Sequence, residues 1–112
     1  MKFMIMVFDD KRTLHTMPPE WAERVAAYMV RLDDELAQSG ELVYSEVLEF
    51  PSEATVVDAL GVHGRGSDAG LHRFWVVKVP SESRAIEISA GIAGVTESVV
   101  EVREVMAQSV RP

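Results

Sequence analysis

Residues 21–47, WAERVAAYMVRLDDELAQSGELVYSEV, decide the fold of this chain. Their apolar side chains recur with the spacing of one helix face, at Trp21, Val25, Met29, Leu32 and Leu36. Gly40 can take the left-handed conformation that ends a helix, and the residues after it alternate in polarity like a strand. The stretch therefore predicts a long amphipathic helix that turns directly into a strand and packs on a sheet.

Further strands are predicted on both sides of this helix. Residues 2–8 are apolar on both faces, which is typical of a strand in the middle of a sheet. The glycine-rich residues 61–70 predict a flexible loop or the tip of a hairpin. The remaining predicted strands are residues 42–50, 71–79 and 99–106, with a short extra strand at 54–60.

A second, shorter helix is predicted before the last strand. Ser81 can cap its start, and Gly91 and Gly94 mark its exit. Its buried stripe is predicted at Ala85, Ile88 and Ile92. The order is thus β-α-β-(β)-β-α-β in one domain of residues 1–112, an α+β chain with the ferredoxin-like plan. Both helices are expected on one face of an antiparallel sheet.

The other face of this sheet needs a cover. Two helices on one face leave the second face open, yet the first strand is apolar on both faces. A large apolar face is not normally left in water, and an identical chain is its simplest cover. We therefore expect a homodimer in which two sheets face each other around a barrel-like interior, a dimeric α+β barrel.

Composition excludes several classes of function. The formal net charge is −7 and the 11 basic residues are scattered, so the chain lacks the basic stripe that nucleic-acid binding needs. Cysteine is absent and the three histidines show no ligand spacing, so neither a metal nor another cofactor is expected. Asp9 and Asp10 interrupt the apolar start and no segment approaches a membrane span, so a soluble, cytoplasmic protein is expected.

Four short segments match the pattern of one family: MKFMIMV at residues 1–7, ELAQSG at 35–40, FWVVKV at 74–79 and VEVR at 100–103. On these segments the chain resembles the YCII-related family, in particular its branch with an Asp-Gly-Pro-Phe motif. The motif itself is absent, since residues 62–68 read VHGRGSD, and Tyr28 and Met29 stand where smaller members place a histidine proposed as catalytic. The resemblance implies a dimeric α+β barrel but supplies no active site. The family is mostly of unknown activity, with a dehydrochlorinase among its assigned members.

Asp9, His15 and His72 are candidates for proton transfer. Histidine is the side chain best suited to this chemistry near neutral pH, especially beside a carboxylate. His15 follows Asp9 in the connection after the first strand, so the two are predicted to form an acid/base pair. The simpler interpretation of His15 is a solvated polar loop. His72 begins the strand at 71–79, and strict alternation places it on the face of Phe74. There it is either a third catalytic group or a hydrogen-bonded core or interface residue.

Five other polar residues are candidates for substrate binding. His63, Arg65 and Asp68 lie in the glycine-rich segment, which could close over an anionic or carbonyl substrate. A plain flexible turn is the simpler interpretation of that segment. Tyr44 and Glu46 share one face of the second main strand and offer a phenol and a carboxylate if that face lines the barrel interior. Otherwise Glu46 is an edge-strand carboxylate in water.

These candidates favour an acid/base enzyme without a cofactor, of the isomerase or lyase type, acting on a small polar or aromatic compound. Two alternatives stay open: a non-catalytic module that binds a metabolite or a partner protein, and a cofactor-independent monooxygenase-like protein. Convergence of Asp9, His15 and His72 around a closed pocket favours the enzyme, whereas scattered histidines and a filled interior favour the module.

Overall fold

Strands and helices follow one another in the predicted order within residues 1–10 and 16–107, the part of the chain that the computed structural model describes. The elements are β1 (Lys2–Asp10), α1 (Pro19–Ser39), β2 (Leu42–Val47), β3 (Thr55–Asp58), β4 (Gly61–Arg65), β5 (Ala69–Lys78), α2 (Glu82–Thr96) and β6 (Val99–Glu104). A single 3-10 turn, Pro51–Glu53, lies between β2 and β3. Neither helix in these ranges is long and apolar enough to span a membrane.

The main sheet has four strands in the order β2-β5-β1-β6, and every neighbouring pair is antiparallel. The two central strands, β1 and β5, are therefore the first and third of the four in chain order. This is the strand order of the ferredoxin-like plan, so the predicted α+β fold is confirmed.

The core lies between the two helices and one face of this sheet. Phe3, Ile5 and Val7 of β1 pack there against the buried residues of α1 and α2. The C-terminal half of the predicted α1 stripe is buried, but Trp21 and Val25 are only partly buried. The first turns of α1 are thus packed less closely than its last turns.

Two predicted helix ends are confirmed, at Gly40 and Ser81, and one is wrong, at Gly91 and Gly94. Gly40 ends α1 with a φ of 79°, and the Ser81 hydroxyl accepts a hydrogen bond from the backbone of α2. α2, however, does not end at its glycines but continues to Thr96. A Cβ at Gly91 would lie 2.4 Å from the Tyr28 hydroxyl, so this glycine allows α1 and α2 to approach and does not end the helix.

β3 and β4 form a separate two-stranded hairpin between β2 and β5. The sequence predicted one strand followed by a loop or hairpin tip, and the structure has a strand on each side of a tight turn. The hairpin is exposed along both strands, with Leu60 at its turn 93% exposed. At the base of the hairpin, Gly66 packs directly against the backbone of Pro51. A Cβ at this position would lie only 2.3 Å from the Pro51 carbonyl oxygen, so only glycine fits there.

The helix-free face of the main sheet carries a mainly apolar centre. Met4 lies opposite Val76 and Met6 opposite Phe74 across β1 and β5. These four residues alternate with the residues that face the helices; Met6 is buried, and the other three are partly buried. The apolar second face that the first strand predicted is therefore present.

Candidate functional site

An irregularity in the main sheet places His72 beside a cavity. Across β1 and β5, Val7 lies opposite Arg73 and Phe8 lies opposite Leu71, so His72 is an extra residue on β5. Such a β-bulge changes the direction of a side chain locally and interrupts alternation. His72 and Arg73 consequently line the same cavity on the helix side of the sheet, whereas strict alternation places His72 with Phe74.

The cavity has a volume of about 420 Å³ and lies between the first half of α1 and the adjoining ends of β1 and β5. Its walls are mainly apolar, with contributions from Val7, Trp21, Val25, Ala26, Met29 and Val30. Four charged or titratable side chains reach it, from Asp9, Asp33, His72 and Arg73. This size and this combination of apolar walls with a few polar groups are typical of small-molecule sites.

Asp9 and His72 form a pair in the cavity wall. The Nε2 atom of His72 lies 3.6 Å from a carboxylate oxygen of Asp9, whose side chain is 10% exposed. The other carboxylate oxygen of Asp9 accepts a hydrogen bond of 2.7 Å from the Ser98 hydroxyl, which fixes the carboxylate. The ring of Phe50 stacks on the imidazole of His72. The 3.6 Å separation is longer than a hydrogen bond, but catalytic pairs commonly tighten when a ligand binds.

A second group of polar side chains in the wall consists of Asp33 on α1 and Arg73 and Trp75 on β5. One carboxylate oxygen of Asp33 accepts a hydrogen bond of 2.8 Å from Arg73, and the other accepts one of 2.8 Å from the indole of Trp75. The Arg73 guanidinium also lies over the Trp75 ring, 4.7 Å from its centroid. Sequence reasoning missed Asp33, although its place beside the apolar stripe, four residues after Met29, is a signal that could have found it.

Three nitrogen atoms of the lining residues are buried without a hydrogen-bond partner in the part of the chain that the structure describes. They are Trp21 Nε1, His72 Nδ1 and Arg73 Nε. Buried polar atoms are nearly always hydrogen-bonded in folded proteins. All three atoms belong to residues that line this cavity, and Trp21 also lines a second cavity beside the end of α2.

Tyr44 and Glu46 lie on the helix-free face, on the other side of the sheet from this cavity. The Tyr44 hydroxyl donates a hydrogen bond of 3.0 Å to the Glu46 carboxylate. Because this bond favours the protonated phenol, it raises the pKa of Tyr44 above its usual range. The two residues share one face of β2, as predicted, and lie away from Asp9 and His72.

The remaining predicted site residues do not reach the cavity or lie outside the described residues. The Nε2 atom of His63 lies 2.5 Å from a carboxylate oxygen of Asp58 on the exposed hairpin. Arg65 donates a hydrogen bond of 3.1 Å to the backbone carbonyl of Glu53, and Asp68 is exposed. His15 lies outside the described residues. Within residues 1–10 and 16–107, no cluster of His, Asp or Glu side chains has the arrangement of a metal site.

No curated protein matches the chain significantly. The YCII-related domain, in contrast, matches residues 1–109, which is nearly the whole chain, including all six strands and both helices described above. By this match over its full core, the chain belongs to the YCII-related family.

Proposed function

We propose that this protein is an acid/base enzyme that transfers protons on a small molecule bound in the cavity. The observation that carries this proposal is the pair formed by Asp9 and His72 in the wall of a mainly apolar cavity. A carboxylate beside Nε2 orients the imidazole and favours the tautomer with the proton on Nε2. The same carboxylate stabilises the imidazolium that forms when His72 accepts a proton.

The surroundings of the pair suit this chemistry. The mainly apolar walls lower the local dielectric constant and so strengthen the electrostatic interactions of the groups that line the cavity. Arg73 is fixed by Asp33 and lies next to His72 in the chain, so it can orient a substrate against the imidazole. Removal of a proton by His72 and its return at another atom, or loss of a leaving group, gives an isomerase or a lyase reaction.

The cavity supports this function better than the alternatives. A non-catalytic module needs no histidine–carboxylate pair in its binding site. A monooxygenase-like protein needs a roomy, aromatic-lined cavity, and this wall is mainly aliphatic. The second candidate, the metabolite-binding module, is tested by the same experiment as the enzyme.

The proposal is tested by replacing His72. Ligands are first found by thermal-shift screening of a metabolite library, and each hit is then followed by proton NMR in D2O for conversion or deuterium incorporation. We expect wild-type protein to turn over or exchange at least one hit. His72→Gln is expected to slow that reaction by about 100-fold or more, because general acid/base catalysis contributes at least this much.

His63→Gln provides the comparison, since it removes another imidazole, one that lies on the exposed hairpin. Its rate is expected to stay within about twofold of wild type, as for most surface substitutions. A large loss with His63→Gln would instead support the substrate-binding role that the sequence predicts for the glycine-rich segment. Hits that stabilise the wild-type protein but are neither converted nor exchanged would establish the binding module.

We also propose that the protein is a homodimer formed through the helix-free face. Met4, Met6, Phe74 and Val76 form an apolar centre on this face, and a second copy offers the same surface in return. Light scattering is expected to give twice the mass of the chain. Met4→Glu places a charge on this face at a partly buried position and is expected to shift the protein to monomer. A wild-type protein that stays monomeric at high micromolar concentration would contradict the proposal.

A further inference from the structure

A second cavity lies between α1 and the end of α2, and Trp21 is the one described residue that it shares with the cavity of the proposed active site. It has a volume of about 590 Å³. The lining residues that bear on ligand binding are four from α1 and two from the end of α2: Trp21, Arg24, Tyr28, Arg31, Gly94 and Glu97. We call this cavity the α1–α2 groove.

Aromatic residues and arginines alternate along the α1 wall of the groove. Trp21, Arg24, Tyr28 and Arg31 follow one another at intervals of three, four and three residues, which is the spacing of a single helix face. This face runs beside the apolar stripe that packs into the core. The groove therefore has aromatic surface and two arginines on the same side of one helix.

Neither arginine of the groove is neutralised by a carboxylate of the described residues. Arg24 makes no ion pair there, and the Arg31 guanidinium lies over the Tyr28 ring, 5.4 Å from its centroid. Arg73 and Arg84, in contrast, are each held by a carboxylate. A guanidinium that stacks on a ring keeps the N–H groups at its edge free for acceptors. Arg24 and Arg31 thus retain charged donors for a ligand.

The position of Arg31 follows from the packing of the two helices. The Tyr28 hydroxyl lies so close to Gly91 of α2 that no room is left for a Cβ at that position. The ring under Arg31 is therefore fixed against α2. A guanidinium over a fixed ring needs less ordering when a ligand binds, and this lowers the free-energy cost of binding.

The groove is positive in a protein that is acidic overall. The chain has 18 acidic and 11 basic residues, and its formal net charge is −7. In the lining of the groove, however, two guanidiniums stand against one carboxylate, that of Glu97, so positive charge is in excess. A local site of this sign attracts anions even on an acidic protein.

From these observations we propose that the α1–α2 groove binds a small organic anion in which a carboxylate or phosphate group is attached to an apolar part. The anionic oxygens accept charge-assisted hydrogen bonds from Arg24 and Arg31. The apolar part packs on the surface offered by Trp21 and Val95. The site is separate from the Asp9–His72 pair and holds whether or not that pair is catalytic.

Four small probes test the ligand class. Phenyl phosphate and benzoate carry an anionic group on a ring, benzyl alcohol is neutral, and inorganic phosphate has no ring. Binding is measured by NMR titration of the indole N–H signals at about 0.15 M salt, which screens distant charges. We expect phenyl phosphate or benzoate to shift the Trp21 signal and to bind about tenfold more tightly than the other two probes. The tighter of the two identifies the anionic group.

Substitutions in the lining test the location of the site. Arg24→Gln and Arg31→Gln are each expected to weaken binding of the ring anions by about fivefold, because each removes a charged donor. Gly94→Leu is expected to weaken it by a similar factor. A Cβ at Gly94 would meet no atom within 4 Å, so leucine there fills the groove without displacing the protein. Glu97→Gln removes the like charge and is expected to tighten binding by about threefold.

Arg65→Gln is the matched control, since it removes the same charge from the exposed hairpin. It is expected to leave binding of the ring anions within about twofold of wild type. His72→Gln is also expected to leave it unchanged, which separates this site from the proposed function. Equal binding of benzyl alcohol, no shift of the Trp21 signal at millimolar concentrations, or equal losses with Arg24→Gln and Arg65→Gln would overturn the inference. A loss with His72→Gln and none with Arg24→Gln would place the probe in the other cavity and overturn it as well.

Discussion

Replacing Asp33 by alanine is expected to lower the free energy of unfolding by about 3 kcal/mol. The indole of Trp75 is fully buried, and Asp33 accepts its hydrogen bond. The side chain of Arg73 is only 16% exposed, and Asp33 is the anion that neutralises it. Alanine would leave a buried N–H donor without an acceptor and a mostly buried guanidinium without its counter-charge. Urea denaturation followed by far-ultraviolet circular dichroism measures the loss.

Two neighbouring substitutions serve as controls for this prediction. Asp33→Asn retains an acceptor oxygen for one donor and removes only the charge, so it is expected to destabilise by about half as much. Asp34→Ala removes an exposed carboxylate from the next position of α1 and is expected to change stability by about 0.5 kcal/mol or less. Equal, small effects of Asp33→Ala and Asp34→Ala would show that Asp33 does not join α1 to β5.

The architecture was predictable because its signals are local. The repeat of Met29, Leu32 and Leu36 reports one helix face, and all three side chains are buried in the core. Gly40 and Ser81 end and begin helices through contacts within their own turns. The apolar residues on both faces of the first strand also predict correctly that β1 is an inner strand of the sheet. Each of these inferences needs only residues that are close together in the chain.

The site depends on contacts between residues that are distant in the chain. The bulge at His72 exists only in the pairing of β5 with β1, so alternation within β5 gives the wrong face. The hydrogen bond between Trp75 and Asp33 joins residues 42 apart in sequence. Asp9 and His72 were both chosen as candidates for their chemistry, but their proximity could not be read from either segment. The residue types were therefore enough to name Asp9 and His72 as candidates. Only the pairing of β1 with β5 shows that the two side chains lie close together.

Replacing Arg84 by methionine is expected to destabilise the protein by about 2 kcal/mol at neutral pH, after allowance for solvent screening. Arg84 donates two hydrogen bonds, of 2.8 Å and 2.9 Å, to the two carboxylate oxygens of Glu41. This pair joins the second residue after α1 to the first turn of α2, and the Glu41 side chain is only 15% exposed. The Arg84 hydrogen bonds outweigh desolvation and lower the pKa of Glu41 from 4.5 to about 2.

The pH dependence of stability identifies this interaction. Because the folded pKa of Glu41 is depressed, the unfolded chain binds more protons between pH 4.5 and about 2. The stabilisation is therefore complete above pH 4.5 and is lost as the pH falls towards 2. In Arg84→Met the carboxylate keeps its desolvation and its hydrogen bond from the Ser39 hydroxyl but loses the guanidinium, so the pKa of Glu41 rises towards its ordinary value. Urea denaturation at a series of pH values is expected to show a shallower loss for the variant in this interval.

Glu87→Gln separates the Glu41 pair from the other acidic contact of Arg84. Arg84 also donates to Glu87, but that side chain is 73% exposed, so its removal is expected to change stability by about 0.5 kcal/mol or less. Its pH profile should follow that of the wild type. If Arg84→Met instead lost stability in parallel with the wild type between pH 4.5 and 2, Glu41 would not owe its acidity to Arg84. The contact between the end of α1 and the start of α2 would then rest on packing alone.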